Sequence, residues 1–199
     1  MRDLWLIRHG ESLGNVDGSQ ANTRLSALGR RQAGALVGCL QAEPLAAVFC
    51  SPLLRARETA ALALPGREPV IDDRLRELVA VRERVVVAAG LSAQELLALL
   101  DDPLDDRPAP ESGAAFTARV RSFIADIEAG QEEGRAGPVV AFAHFGVIRQ
   151  ILGHYLGFRE APQTIAHCAI MCVQHTERGI RLLVLDQHLA GLPTSSPAS

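Results

Sequence analysis

Short continuous apolar runs alternate along the chain with segments whose apolar residues recur at helical spacing. The runs at 4–7, 45–51 and 138–144 predict strands, and the continuous run at 4–7 is consistent with a strand buried on both faces. A weaker run at 68–73 predicts a further short strand. The apolar segments on either side of "TERG", beginning at residue 165, predict a β-hairpin near the C-terminus.

Helical spacing separates these strands, with predicted helices at 27–41, 53–64, 113–130 and 147–157. Ser26 and Ser112 stand directly before two of these segments and are predicted N-caps. Ser92 and Glu95 form a capping box that predicts one more helix start. Strands that alternate with helices predict an α/β fold. We expect a three-layer sandwich with a mainly parallel central sheet, helices on both faces and an antiparallel C-terminal hairpin.

The length of 199 residues predicts a single domain over 1–190 and a disordered tail over 191–199. A net charge of −3 offers no basic surface for nucleic acid, and no run approaches the ~18 apolar residues of a membrane span. The N-terminus becomes charged too early for a signal peptide, and the four cysteines lack a disulfide-type spacing. We therefore expect a cytoplasmic protein without nucleic-acid or membrane partners.

Three predicted strands deliver anion-binding side chains at their carboxyl ends. Arg8 and His9 follow the first strand, Arg55 lies shortly after the second, and His144 ends the run 138–144. The carboxyl ends of parallel strands share one edge of a sheet, so these groups are expected to converge. All 20 residues in the Lys+Arg count are arginine, and guanidinium forks match phosphate oxygens. The convergence therefore predicts a phosphate site.

A phosphate site that contains histidine can also carry out chemistry. A neutral imidazole is a nucleophile toward phosphorus, and its ordinary pKa of ~6.5 leaves much of it neutral near pH 7. Arginines would stabilise the charge of the transition state, and a nearby carboxylic acid would protonate the leaving group. The chain lacks the Cys, His and Asp spacing of a metal site. We therefore predict no metal and no cofactor.

The segments "LIRHGES", "TRLSALGRRQA", "SPLLRARETA", "RLREL" and "AHFGVIRQILGHYLG" resemble, in this order, the histidine phosphatase superfamily, also called the phosphoglycerate-mutase-like family. The resemblance covers residues 4 to about 190. It implies that His9 is the nucleophile that carries the phosphoryl group. It also implies that Arg8, Arg55 and His144 form the phosphate pocket, and that Glu77 donates and accepts the proton.

The resemblance extends to substrate contacts at Asn15 and at the backbone N–H groups of Phe145 and Gly146. The chain departs from the family in two places. Phe145 stands where a small residue often follows the late histidine, and the stretch after Glu77 lacks the usual "GxWEG"-like pattern. Sequence reasoning assigns no role to His167, which it places on the predicted hairpin.

Three functions remain open at this point. The first is a metal-independent phosphatase that hydrolyses small phosphomonoesters through a phosphohistidine on His9. The second is a phosphoglycerate-type mutase that returns the phosphoryl group to another hydroxyl. The third is a catalytically weak member that binds a phosphorylated ligand. A small phosphorylated substrate is the expected partner in each case, a homodimer is compatible with the sequence, and the substrate is not identified.

Overall fold

The structure, a computed structural model, describes residues 3–17, 22–78, 111–130 and 137–185. The predicted capping box at Ser92 and Glu95 and the predicted tail at 191–199 lie outside these residues. No helix within the described ranges is both long enough and apolar enough to cross a lipid bilayer.

Six strands form one sheet in the order β3-β2-β4-β1-β5-β6. Their bounds are β1 Leu4–Arg8, β2 Ala47–Cys50, β3 Val70–Ile71, β4 Val139–Ala143, β5 Ile170–Thr176 and β6 Gly179–Leu185. The first four strands pair in parallel, whereas β5 pairs antiparallel with both β1 and β6. This arrangement confirms the mainly parallel sheet and its antiparallel C-terminal hairpin.

The described residues form six α-helices: α1 Leu13–Asp17, α2 Ala27–Ala35, α3 Val37–Gln41, α4 Leu54–Ala63, α5 Gly113–Ala129 and α6 Phe145–Leu156. Ser26 and Ser112 cap α2 and α5 as predicted, each accepting a backbone N–H of the first turn. The predicted helix over 27–41 is interrupted at the buried Leu36, whose N–H donates to Ala33 three residues back, in a tighter 3₁₀-type turn. Helix α1 lies between β1 and the helix predicted at 27–41, where no helix is predicted.

The alternation of side chains along β1 builds two cores, one on each face of the sheet. Leu4 and Leu6 pack in the core covered by α5 and α6, which also contains Phe123. Ile7 points to the opposite face, where α2, α3 and α4 cover a second core that contains Leu40. Helices therefore lie on both faces of the sheet, which confirms the three layers.

The register of the three central strands brings their polar ends together. Arg8 at the end of β1 pairs with Ala143 of β4, and the N–H of His9 donates to the carbonyl of Ala143 at 3.0 Å. On the other side of β4, the N–H of Ser51 donates to the carbonyl of Phe142 at 3.0 Å. His9, Ser51 and the start of α6 therefore lie at one edge of the sheet, as expected for parallel strands.

The loop after β1 packs directly on the backbone of α2. A Cβ at Gly10 would lie 2.6 Å from the carbonyl oxygen of Gly29, and a Cβ at Gly29 would overlap the carbonyl oxygen of Glu11. The N–H of Gly10 also donates to the Thr59 hydroxyl at 3.0 Å. Two glycines thus allow a backbone contact that leaves no room for a side chain.

The hairpin begins later than predicted, at Ile170 rather than at residue 165. The preceding segment is a turn in which Cys168 adopts a left-handed φ of 58°. The N–H of Cys168 donates to the carbonyl of Arg8 at 3.0 Å, and the carbonyl of Ile165 accepts from Arg8 Nη1. These bonds to the end of β1 hold the segment in a turn and place it beside the polar edge.

Candidate active site

One ring nitrogen of His9 is bound to the backbone, and the other carries the lone pair. The side chain is only 4% exposed, and its Nδ1 lies 2.7 Å from the carbonyl oxygen of Gly10. A carbonyl can only accept a hydrogen bond, so Nδ1 carries the hydrogen in the neutral ring. The lone pair is therefore on Nε2, which lies 3.2 Å from the donating Nε of Arg55.

The surroundings of His9 favour the neutral imidazole. Burial lowers the pKa of His9 well below 6.5, and the positive charges of Arg55 and Arg8 lower the pKa further. The bond to the Gly10 carbonyl acts in the opposite direction and is outweighed. The nitrogen lone pair is therefore present well below neutral pH.

Arg8 and Arg55 both lie close to the His9 ring and are largely removed from water. Burial lowers the pKa of each guanidinium, while the charge of Glu77 raises it. Arg8 Nη1 donates to the carbonyl of Ile165, whereas its buried Nε has no hydrogen-bond partner among the described residues. Thr59 donates to the carbonyl of Arg55 at 2.6 Å and accepts from Gly10, which links the first turn of α4 to the loop that carries His9.

Glu77 provides the negative charge of this cluster. Its Oε2 accepts from the N–H of Gly146 at 3.1 Å, and its Oε1 accepts from the N–H of Leu78 at 2.9 Å. The carboxylate therefore lies at the N-terminus of α6, where the helix dipole favours an anion. The N–H of Gly146 is one of the expected substrate contacts, and here it is bound to Glu77. A Cβ at position 146 would overlap Glu77 Oε1.

His144 is the second histidine of the site and is fully buried. Its ring centroid lies 5.0 Å from that of His9. Its Nε2 lies 2.8 Å from the hydroxyl oxygen of Ser51, while its Nδ1 has no hydrogen-bond partner among the described residues. Burial lowers the pKa of His144 well below 6.5, and His9, Arg55 and Arg8 lower it further. His144 is therefore also neutral.

Asn15 and Phe145 occupy structural positions at the margin of this cluster. The side-chain oxygen of Asn15 accepts from the N–H of Ser12 at 3.0 Å and from its hydroxyl at 2.8 Å. Asn15 is otherwise exposed. The Phe145 ring packs against the core that α5 and α6 cover, together with Leu78. The bulk that replaces a small family residue is thus accommodated by core packing.

His167 also belongs to the site, although sequence reasoning gave it no role. Its ring centroid lies 5.7 Å from that of His9, and it contributes to lowering the pKa of His9. The residue is half-buried on the turn that precedes β5. Only the late start of the hairpin, at Ile170, places His167 beside the nucleophile candidate instead of along a strand.

The family of this chain follows from its similarity to known proteins. The profile of the histidine phosphatase superfamily, branch 1, matches residues 4–188. The chain belongs to the histidine phosphatase superfamily. The adenosylcobalamin/α-ribazole phosphatase of Salmonella typhi is 33% identical over 167 residues, which cover 79% of this chain and 81% of that protein.

Two solved structures illustrate the similarity in fold. A phosphoglycerate mutase structure from Thermus thermophilus aligns with a TM-score of 0.60 at 34% identity, covering 92% of this chain and 99% of that one. A mycobacterial glucosyl-3-phosphoglycerate phosphatase in complex with VO3 aligns with a TM-score of 0.66 at 26% identity, covering 92% and 97%. The first of these likenesses confirms the phosphoglycerate-mutase-like fold.

In this member of the histidine phosphatase superfamily, the sequence-derived candidates fall into two groups. His9, Arg8, Arg55, His144 and Glu77 form one cluster at the carboxyl ends of β1, β2 and β4. Asn15 and Phe145 are engaged in local bonding and packing instead. The cluster combines a nitrogen lone pair, two guanidiniums and a carboxylate. These are the parts that a phosphoryl transfer by covalent catalysis needs.

Proposed function

We propose that this protein hydrolyses small phosphomonoesters through a phosphohistidine on His9. One observation carries the proposal. The Nε2 lone pair of His9 is set by the bond between Nδ1 and the Gly10 carbonyl, and it lies 3.2 Å from Arg55 Nε. A phosphoryl group that replaces the Arg55 contact at Nε2 would meet a nucleophile and a guanidinium at the same place.

In the first step, His9 Nε2 attacks phosphorus. A P–N bond forms while the P–O bond to the alcohol breaks, and the departing alkoxide takes a proton from Glu77 in its acid form. Arg8, Arg55 and His144 bind the equatorial oxygens. The products of this step are the free alcohol, phospho-His9 and the Glu77 carboxylate.

In the second step, water attacks the phosphoryl group as its proton passes to Glu77. The P–N bond breaks, the electron pair returns to His9 Nε2, and inorganic phosphate leaves. Glu77 is then again in its acid form, so the cycle closes without a metal or a cofactor. Glu77 makes both proton transfers in this scheme, and its electrostatic contact with Arg8 and Arg55, whose pKa values its charge raises, supports a position close to the bound phosphoryl group.

The first substrate to test is α-ribazole 5′-phosphate, because relatives from Salmonella typhi and Escherichia coli are named as α-ribazole phosphatases. A panel of small phosphomonoesters should accompany it. Samples are quenched in alkali during turnover, since phosphohistidine is stable in base and labile in acid. Mass spectrometry should then find a phosphoryl group on the peptide that contains His9, and none in His9→Ala.

If the esters are hydrolysed and no phosphorylated His9 peptide is found, the phosphohistidine mechanism is wrong. Binding of orthovanadate without turnover of any ester would favour the third function, a member that binds phosphorylated ligands.

A mutase is the second candidate, because a structure at 34% identity is a phosphoglycerate mutase. The two outcomes differ in the acceptor of the second step, which is water or a hydroxyl of the bound intermediate. Incubation with 3-phosphoglycerate followed by ³¹P NMR separates them. Free phosphate supports the phosphatase, whereas 2-phosphoglycerate without free phosphate would show the mutase.

A further inference from the structure

We propose that Ser51 is a positioning residue that holds His144 in the tautomer with its hydrogen on Nδ1, so that the neutral ring presents an N–H donor to the phosphoryl group. That a phosphoryl group accepts this hydrogen bond rests on the proposed function. The tautomer itself follows from the hydrogen bonds around two buried side chains and does not depend on that function.

The hydrogen bonds of Ser51 limit what its hydroxyl can do. The side chain is fully buried, and its oxygen accepts from the N–H of Leu53 at 3.3 Å and lies 2.8 Å from His144 Nε2. A hydroxyl has one hydrogen to donate and two lone pairs. One lone pair of the Ser51 oxygen accepts from Leu53. If the hydroxyl donates its hydrogen to His144 Nε2, both the hydroxyl and Nε2 are satisfied. The reverse direction would leave the buried hydroxyl hydrogen without an acceptor among these contacts, which costs free energy.

The other ring nitrogen of His144, Nδ1, supports the same tautomer. Nδ1 is buried and has no hydrogen-bond partner among the described residues, and the ring lies 5.0 Å from His9 between centroids. A bare lone pair on Nδ1 would repel the oxygens of a phosphoryl group, whereas an N–H would bind them. Burial and the neighbouring arginines lower the pKa of His144, so a second hydrogen on the ring is disfavoured. In a neutral ring, only the tautomer with its hydrogen on Nδ1 makes Nδ1 a donor.

The direct test is ¹⁵N NMR of the wild-type protein labelled at histidine, at pH 7 and without phosphate. The nitrogen that carries the hydrogen resonates far upfield of the nitrogen with the lone pair, and His144→Gln assigns the signals. We expect His144 to be neutral with its hydrogen on Nδ1. A hydrogen on Nε2, or on both nitrogens, would overturn the proposal. This measurement needs no turnover, so it is independent of whether the proposed phosphatase activity is found.

The functional test compares Ser51→Ala with Ser51→Thr, which keeps the hydroxyl. We expect Ser51→Ala to lower kcat/KM by about tenfold to hundredfold, below the ~10²–10³-fold effect of removing a donor outright. Orthovanadate should bind more weakly by a similar factor, and in Ser51→Ala the His144 hydrogen should no longer be confined to Nδ1. Ser51→Thr should recover at least part of the loss.

Ser112→Ala is the matched control, because it also removes a hydroxyl that accepts a backbone N–H, at 3.1 Å from Ala115, but at the start of α5. It should lower the melting temperature and leave kcat/KM unchanged. Wild-type kcat/KM and vanadate affinity in a folded Ser51→Ala would overturn the proposal. If Ser51→Ala does not fold, the wild-type NMR measurement alone decides.

Discussion

The loops after β1 and β4 each begin with a buried histidine, and the two rings are oriented in different ways. His9 has its Nδ1 against the backbone carbonyl of Gly10, and its Nε2 faces the Arg55 guanidinium. His144 has its Nε2 against the Ser51 hydroxyl, and its Nδ1 is left without a partner among the described residues. The same residue type therefore presents a lone pair in one loop and, by our proposal, an N–H in the other.

The difference lies in the chemistry of the orienting group. A carbonyl can only accept, so the main chain is by itself sufficient to set the tautomer of His9. A hydroxyl can donate or accept, so the tautomer of His144 depends on how the hydroxyl of Ser51 is itself satisfied. The proposed nucleophile is thus oriented by the backbone, and the proposed hydrogen-bond donor is oriented by a side chain.

The largest expected effect comes from removing either ring. His9→Ala should lower kcat/KM by at least about 10⁴-fold and abolish the phosphoenzyme, because no other group would replace the nucleophile. His144→Gln should cost about 10²–10³-fold and still form the phosphoenzyme, because only a donor is lost. Steady-state rates and alkaline-quench mass spectrometry measure both. A phosphoenzyme absent from His144→Gln and present in His9→Ala would reverse the assignment of the two histidines.

Arg55 tests the electrostatics of the site, because its charge lowers the pKa of both histidines. Arg55→Gln should lower kcat/KM by about 10²–10³-fold, since it removes a charge beside the phosphoryl group. It should also raise the pKa of His9, which the Arg55 charge lowers, so the acid limb of the kcat/KM profile should move to higher pH. Arg57→Gln, two residues further along α4 and exposed, is the control and should leave both quantities as in wild type. If the acid limb does not move in Arg55→Gln, the claim that the Arg55 charge lowers the pKa of His9 is contradicted.

Gly146→Ala tests the carboxylate at the start of α6. The added Cβ would overlap Glu77 Oε1 and displace the carboxylate from the Gly146 N–H, so kcat/KM should fall by about tenfold or more. Gly34→Ala is a matched exchange in α2, where a Cβ meets no atom within 4 Å. That control should raise the melting temperature slightly and leave kcat/KM unchanged. Equal kinetics in the two alanine variants would show that Glu77 does not need this position.

The two histidines also predict how stability depends on pH. Burial lowers the pKa of both rings in the folded chain, whereas the unfolded chain titrates near ~6.5. Below about pH 6.5 the unfolded chain therefore binds more protons. Each ring should then make the free energy of unfolding fall by up to about 1.4 kcal/mol per pH unit as the pH decreases. Urea unfolding at pH 7.5 and 5.5 measures this slope, and His144→Gln should reduce it. An unchanged slope in that variant would exclude His144 as a source.

The smallest expected effect is that of metal removal. The proposed steps use His9, the arginines and Glu77 alone, so dialysis against EDTA should leave kcat/KM within twofold of the untreated protein. Activity that is lost with EDTA and restored by a divalent cation would require a different account of how charge is stabilised.

The sequence pattern predicted the positions of His9 and His144 because both positions depend on local features. Each histidine stands at the carboxyl end of a short apolar run, and these runs form the parallel strands β1 and β4. Parallel strands present their carboxyl ends at one edge, so no long-range information was needed to bring the two rings together. Glu77 was reachable only through the family resemblance, because nothing in its own segment distinguishes it from neighbouring acidic residues.

Two other residues of the site depend on long-range structure and were not predictable in this way. His167 reaches the site because Cys168 adopts a left-handed φ and bonds to the end of β1, far earlier in the chain. Ser51 meets His144 because of the register between β2 and β4, which pairs Cys50 with Phe142. Apolar spacing shows that these strands exist, but it does not specify which residues lie opposite each other.

The glycine contact between the loop after β1 and α2 connects the orientation of His9 to a residue outside the cluster. The carbonyl of Gly10 orients His9, and the same residue packs against the backbone of Gly29, where a Cβ would overlap the neighbouring Glu11 carbonyl. A substitution at position 29 would therefore reach the imidazole through the main chain alone. For protein engineering, residue 29 is a position from which the orientation of His9 can be altered without substituting any side chain of the cluster.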